Sequence, residues 1–120
     1  MSTLTDKAGA PVEVRLTPGG DAYGIYVEGR EAWVGAAFFL DRAYEGVDQR
    51  IFHHTEVGDD FSGRGLAGVL VREALAETFA QGLTVVPACP YVKSYIEKKG
   101  LDGPVSAPTS EVYGWVEENK

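Results

Sequence analysis

His54 and Glu56 stand two residues apart in the run Arg50-Ile-Phe-His-His-Thr-Glu-Val57, and residues two apart in a strand share a face. Either can take a proton from a nucleophile, directly or through water, and an imidazole with its ordinary pKa of about 6.5 suits that task. His53 points the other way under the same alternation and reads as an ordinary strand residue. Glu56 reads equally well as a solvated strand residue. Cys89 is the one cysteine, so no internal disulfide can form. Its thiol is either a reactive group or, the commoner fate of a buried cysteine, a small packed core residue.

Ser62-Gly-Arg-Gly-Leu-Ala-Gly68 carries a different chemistry. Glycines let the backbone approach a ligand closely and take positive φ at no steric cost. The free N–H groups and the dipole of a helix that starts here favour a phosphate or pyrophosphate, and Arg64 adds a charge-assisted contact. A P-loop needs Gly-Lys-Ser/Thr at its end, and no lysine is present. Gly63-x-Gly65-x-x-Gly68 matches a dinucleotide fingerprint, but the next strand ends in Pro87-Ala88-Cys89 where that fingerprint expects an acidic residue for the ribose. His54-x-Glu56 followed by Pro87-x-Cys89 has the outline of a zinc deaminase site, which needs two cysteines in its second segment. One cysteine rules it out, and no metal is expected.

These groups must be held by a small framework. The 120 residues, 44% hydrophobic, make one domain, with residues 1–10 a flexible tail and 11–120 the folded unit. A net charge of −7 argues against nucleic-acid binding, which neutralises phosphates with Lys and Arg. It is compatible with a cationic substrate such as an amine. No apolar run approaches the ~20 residues of a membrane span and no signal peptide is evident, so a cytoplasmic protein is expected.

Strands are expected over Val12–Leu16, around Tyr23–Val27, over Ala32–Leu40, which is apolar on both faces and so interior, and over Arg50–Val57. Glu28-Gly29-Arg30 is expected to turn the second strand into the third, and Asp41–Asp48 reads as a polar loop. After Gly65 the period changes. Ala67, Leu70, Val71, Ala74, Leu75 and Phe79 recur at helical spacing, and Gly82 stops the helix. Leu83–Val86 is a short buried strand, and Pro90–Lys99 is a helix stopped by Gly100. Val112–Val116 lies in a last strand or short helix. The strand–helix–strand crossover makes the fourth and fifth strands parallel. The fold class is α+β, a mixed, mostly antiparallel sheet with helices packed on it.

That order of elements, with three segments, resembles the GNAT superfamily of N-acetyltransferases. The superfamily's pyrophosphate loop, Arg/Gln-x-x-Gly-x-Gly/Ala after the fourth strand, aligns with Ser62-Gly63-Arg64-Gly65-Leu66-Ala67. A minimal branch carries His-Thr-x-Val before the loop and a cysteine at the end of the fifth strand, similar to His54-Thr55-Glu56-Val57 and Cys89-Pro90-Tyr91 here. The similarity runs roughly from Ala22 to Leu101. Ser62 replaces the usual Arg or Gln, and the family's tyrosine acid falls on Ile96, so that role is not carried over to Tyr95.

The resemblance implies acetyl-CoA as donor, held by the backbone of Ser62 to Gly68 with Val57 offering backbone groups to the acyl carbonyl and pantetheine arm. It also implies an amine acceptor, a small molecule or a protein or peptide lysine, whose specificity would come from loops such as Asp41–Gln49. His54 or Glu56 would be the base. Cys89, close to the thioester, would be an accessory acid, a covalent acyl carrier or a pocket wall; direct attack by the amine is the expected route. The alternative is a module that binds CoA or acyl-CoA without catalysis.

Overall fold

The computed structural model describes residues 4–5, 9–27, 31–58, 65–100 and 103–120. Among these residues six strands lie side by side in chain order: β1 (Leu4–Thr5), β2 (Pro11–Leu16), β3 (Ala22–Val27), β4 (Gly35–Tyr44), β5 (Val47–Val57) and β6 (Thr84–Pro87). The first five pair antiparallel and β5–β6 pairs parallel, as the crossover predicts. The helices are α1 (Leu66–Ala80), α2 (Pro90–Lys99) and α3 (Ser110–Asn119). Among the described residues no helix is long and apolar enough to cross a membrane.

α1 forms because packing outweighs propensity. Leu66, Leu70, Val71, Ala74, Leu75 and Thr78 are buried along one stripe, and each large apolar side chain so buried contributes about 1.5–3 kcal/mol. Gly68, in the first turn, costs at most the roughly 1 kcal/mol that a glycine costs relative to alanine in a helix interior. Gly82, at φ +78°, follows the helix end, and Gly100, at φ +69°, caps α2 after Lys98 and Lys99. Those lysines complement the negative end of the dipole.

The two sheet faces carry separate cores. Tyr23, Ile25, Ala37, Phe39, Phe52 and Val85 pack with α1 and α2, while Ile51 and Val86 pack with Val112 and Val116 of α3. Among the described residues Arg50 is a buried charge on the α1 side. Its guanidinium makes two 2.8 Å bonds to Asp41 and a 2.6 Å bond to Tyr23 Oη. Burial alone would lower its pKa, but these partners hold it above the ordinary value.

Several boundaries differ from expectation. Within the expected tail, Leu4 and Thr5 pair with Val12 and Pro11 as β1. The third strand begins at Gly35 rather than Ala32 and runs on to Tyr44, and the fourth begins at Val47. Asp41–Asp48 is therefore no loop. Glu45 and Gly46, at φ +50° and +81°, make a two-residue hairpin turn, the geometry whose twist suits flanking strands. The polar residues that suggested a loop are cross-strand partners: Arg42 donates to Gln49 at 3.1 Å and Arg50 bonds Asp41. The last segment resolves to a helix, α3, capped by Thr109 Oγ1 accepting from Val112 N. The turn expected at Glu28–Arg30 lies outside the described residues.

Candidate functional site

The parallel pair β5–β6 is short. Its register runs from Gln49↔Thr84 to Phe52↔Pro87 and ends there, closed by Cys89 N–H donating to Phe52 O at 2.8 Å. β5 continues to Val57 against β4 alone, while Pro90, at the first position of α2, turns the other chain away. The strands thus part beside Cys89, and the stretch His53–Val57 has no β6 partner along that edge. Ligands of open α/β sheets sit at such carboxyl ends of parallel strands.

Two helix N-termini converge on the gap. α1 starts from Gly65, held at φ +74°, without a side-chain cap and without an acidic residue in its first turn. The first-turn N–H groups of Leu66, Ala67 and Gly68 have no intrahelical partner, as in any α-helix. α2 starts from Cys89, and its second residue, Tyr91, brings its hydroxyl toward the first turn of α1. A Cβ built on Gly68 would have Tyr91 Oη at 4.0 Å and nothing nearer among the described residues. Packing among the described residues therefore does not demand glycine at 68, although a helix gives up stability to have it. A ligand approaching the backbone would demand it. Burial, and then the neighbouring Tyr95, push the Tyr91 pKa up, so its phenol stays a hydrogen-bond donor at neutral pH.

A bulge decides which side chains meet there. Phe38 pairs with His54 but Phe39 pairs with Phe52, which leaves His53 as one extra residue in β5. Such an insertion re-aims every following side chain. Thr55 and Val57 join the α1 side with Phe52 and Cys89, and Cys89 Sγ donates to Thr55 Oγ1 at 3.4 Å. His54 and Glu56 go to the opposite side, where His54 Nε2 lies 3.5 Å from Glu56 Oε2. The structure brings His54 and Glu56 together, as their spacing predicts, but separates them from Cys89 by the thickness of the sheet. His53 does not face away from His54. Both rings lie against Phe38, at 6.5 and 5.8 Å.

Phe38, His53, His54, Glu56 and Lys120 line an open cleft of about 360 Å³ on that face. Burial first, then the charges of Lys120 and His54, hold the His53 pKa below its ordinary value. A histidine whose folded pKa is lowered binds fewer protons when folded than when unfolded. Its contribution to stability is complete above the unfolded pKa of about 6.5 and is lost as the pH falls through that value toward the folded one. We expect Tm to fall on acidification from pH 8 to pH 5, with His53→Gln showing a shallower fall. Equal slopes in the two proteins would contradict this assignment.

Of the other residues singled out in the sequence, Gly65, Leu66, Ala67 and Gly68 form the start of α1, and Val57 is half-buried against the α1-side core. Ser62, Gly63 and Arg64 lie outside the described residues. Thr55, Phe38 and the cleft position of His53 were not foreseen. A signal existed, because Phe52 and Val57 are both apolar yet five apart, an odd spacing that strict alternation cannot bury on one side.

Residues 22–101 match the family model described as GCN5-related N-acetyl-transferase. Among solved structures, the chain is similar to a ribosomal-protein-alanine N-acetyltransferase from Brucella melitensis biovar Abortus 2308, with 21% identity and a TM-score of 0.52. That likeness covers 73% of this chain and 66% of the other, less than two thirds of the Brucella enzyme's length, and it carries the fold. No curated protein matches the sequence.

Proposed function

The chain belongs to the GCN5-related N-acetyl-transferase family, and from that premise we propose that it moves the acetyl group of acetyl-CoA to a primary amine by direct attack. The acceptor is a small amine or an amino group of a protein or peptide; the similar Brucella enzyme is named for an alanine of a ribosomal protein. The observation that carries the reading is the parting of β5 and β6 in front of two helix N-termini, with a glycine at 68 that packing among the described residues does not require.

In this reading the first-turn amides of α1 from Leu66 to Gly68, with Ser62, Gly63 and Arg64 before them, hold the CoA pyrophosphate. Val57 offers backbone groups to the acyl end. Acetyl-CoA supplies an activated acetyl thioester and a thiolate leaving group of ordinary acidity. The amine comes from the cleft over Phe38 and meets the acetyl carbon in the gap where β5 has no β6 partner, while Glu56 and His54 take its proton directly or through water from that face. Cys89 stands on the other face as an accessory acid toward the departing sulfur. The separation of the faces disfavours a covalent acyl-Cys89 route, because the imidazole that would activate the thiol lies across the sheet from it.

The test is release of free thiol from acetyl-CoA with a panel of small amines and peptides. Turnover with at least one is expected, and Cys89→Ala should retain it at a rate lowered about tenfold. No turnover with any acceptor, despite CoA binding, would leave a binding module in place of an enzyme. Complete loss in Cys89→Ala, with an acetylated Cys89 detected by intact mass at the turnover rate, would replace direct attack by the covalent route.

A further inference from the structure

Thr55 lies between the residues assigned to the base, yet the bulge turns it to the opposite face. There its Oγ1 is the side-chain partner of Cys89 Sγ, at 3.4 Å. Cys89 is 4% exposed, and its backbone is pinned by the bond from its N–H to Phe52 O. The thiol therefore has a fixed origin, and its remaining freedom is rotation of the side chain. A threonine hydroxyl can accept one hydrogen bond and donate another, and its β-branched side chain is stiff at χ1. Valine at this position would pack equally well on a pleated surface, so packing alone does not call for a hydroxyl.

We propose that Thr55 is a positioning residue for the Cys89 thiol, resting on the reading of Cys89 given above. In the resting protein Thr55 Oγ1 accepts the S–H and holds the sulfur toward the gap between β5 and β6. During transfer the amine nitrogen forms a bond to the acetyl carbon, the bond from that carbon to the donor sulfur breaks, and the departing sulfur takes the Cys89 proton. The Thr55 hydroxyl then turns to donate to the Cys89 thiolate, a charge-assisted bond stronger than the one it replaces. The proton released by the amine on the other face returns through solvent to restore the thiol. No electrons are exchanged and no further reactant is consumed.

Two measurements test this. The first needs no substrate: with one cysteine in the chain, the infrared S–H stretch belongs to Cys89 without labelling. Thr55→Val should move that band to the position of a free thiol, and Thr55→Ser should return it. The second is a double-mutant cycle on thiol release from acetyl-CoA, using the most active amine of the panel. Thr55→Val should lower kcat about tenfold, the loss of one hydrogen bond to a developing charge, while leaving KM for acetyl-CoA unchanged. In a Cys89→Ala background the same substitution should have no further effect. If Thr55→Val fails to fold, Thr55→Ala carries both measurements. An unmoved S–H band, or an equal loss with and without Cys89, overturns the role of Thr55 and leaves the Cys89 reading intact. A Cys89→Ala protein that turns over at the wild-type rate overturns the Cys89 reading and the role of Thr55 with it.

Discussion

Gly65→Val is expected to weaken CoA binding by at least 100-fold while leaving the sheet intact. The residue sits at φ +74°, ψ +14° as the cap of α1, a left-handed conformation that costs an ordinary L-residue about 1–2 kcal/mol and a β-branched one more. Valine would therefore move the cap and, with it, the first-turn amides to which the proposal assigns the pyrophosphate. It would also place methyl groups where the phosphates are to approach. The two effects act on the same contact, so affinity should suffer far more than stability. Calorimetric titration with CoA, alongside thermal unfolding of the unliganded protein, separates them. A variant with unchanged CoA affinity would remove the pyrophosphate assignment from this turn.

Asp41→Ala should destabilise the fold by about 2–3 kcal/mol, a fall in Tm of roughly 8–12 °C. It strips Arg50 of a bidentate partner while Tyr23 Oη remains, and the guanidinium is left charged in a largely buried place. Removing one partner of a fully buried pair costs about 3–5 kcal/mol; the figure here is lower because the Asp41 side chain is 46% exposed. Arg50→Met should cost distinctly less, since it removes the buried charge and leaves a carboxylate that water can reach. If thermal or urea unfolding shows the two variants equally destabilised, the network is held by packing, not by charge. The position is also instructive because a loop was expected there. A segment with two aspartates and an arginine reads as loop in a linear scan, and only the facing strand reveals that Asp41 pairs with Arg50, and Arg42 with Gln49, across the ladder.

The order of elements was legible because it rests on periodicity and on turn residues close in sequence. α1 and α2 were found within a residue or two of their ends, through Gly82 and Gly100, and the parallel step followed from the crossover rule. The closeness of His54 and Glu56 was also readable from their spacing. Their placement relative to Cys89 was not, because a single inserted residue at His53 reverses the facing of everything after it, and alternation had been counted straight through. Thr55 was hidden for the same reason. α3 was ambiguous because Val112–Val116 is too short a pattern to tell a helix from a strand, and what settles it is the capping Thr109 with a buried seam of Val112 and Val116.

The strands lie in the sheet in the order in which they occur in the chain, and this bears on how the protein folds. Each pairing from β1 to β5 joins neighbours in sequence, so little chain entropy is lost in bringing the partners together. β6 alone must return across α1, the longest closure in the sheet. The meander can thus assemble early and on its own account, but the gap beside Cys89 does not exist until β6 docks. A chain arrested before that step would have most of its sheet and lack the gap to which the proposed function assigns the donor. A donor that binds the gap therefore acts on the last step of assembly, drawing the equilibrium toward the completed molecule by mass action.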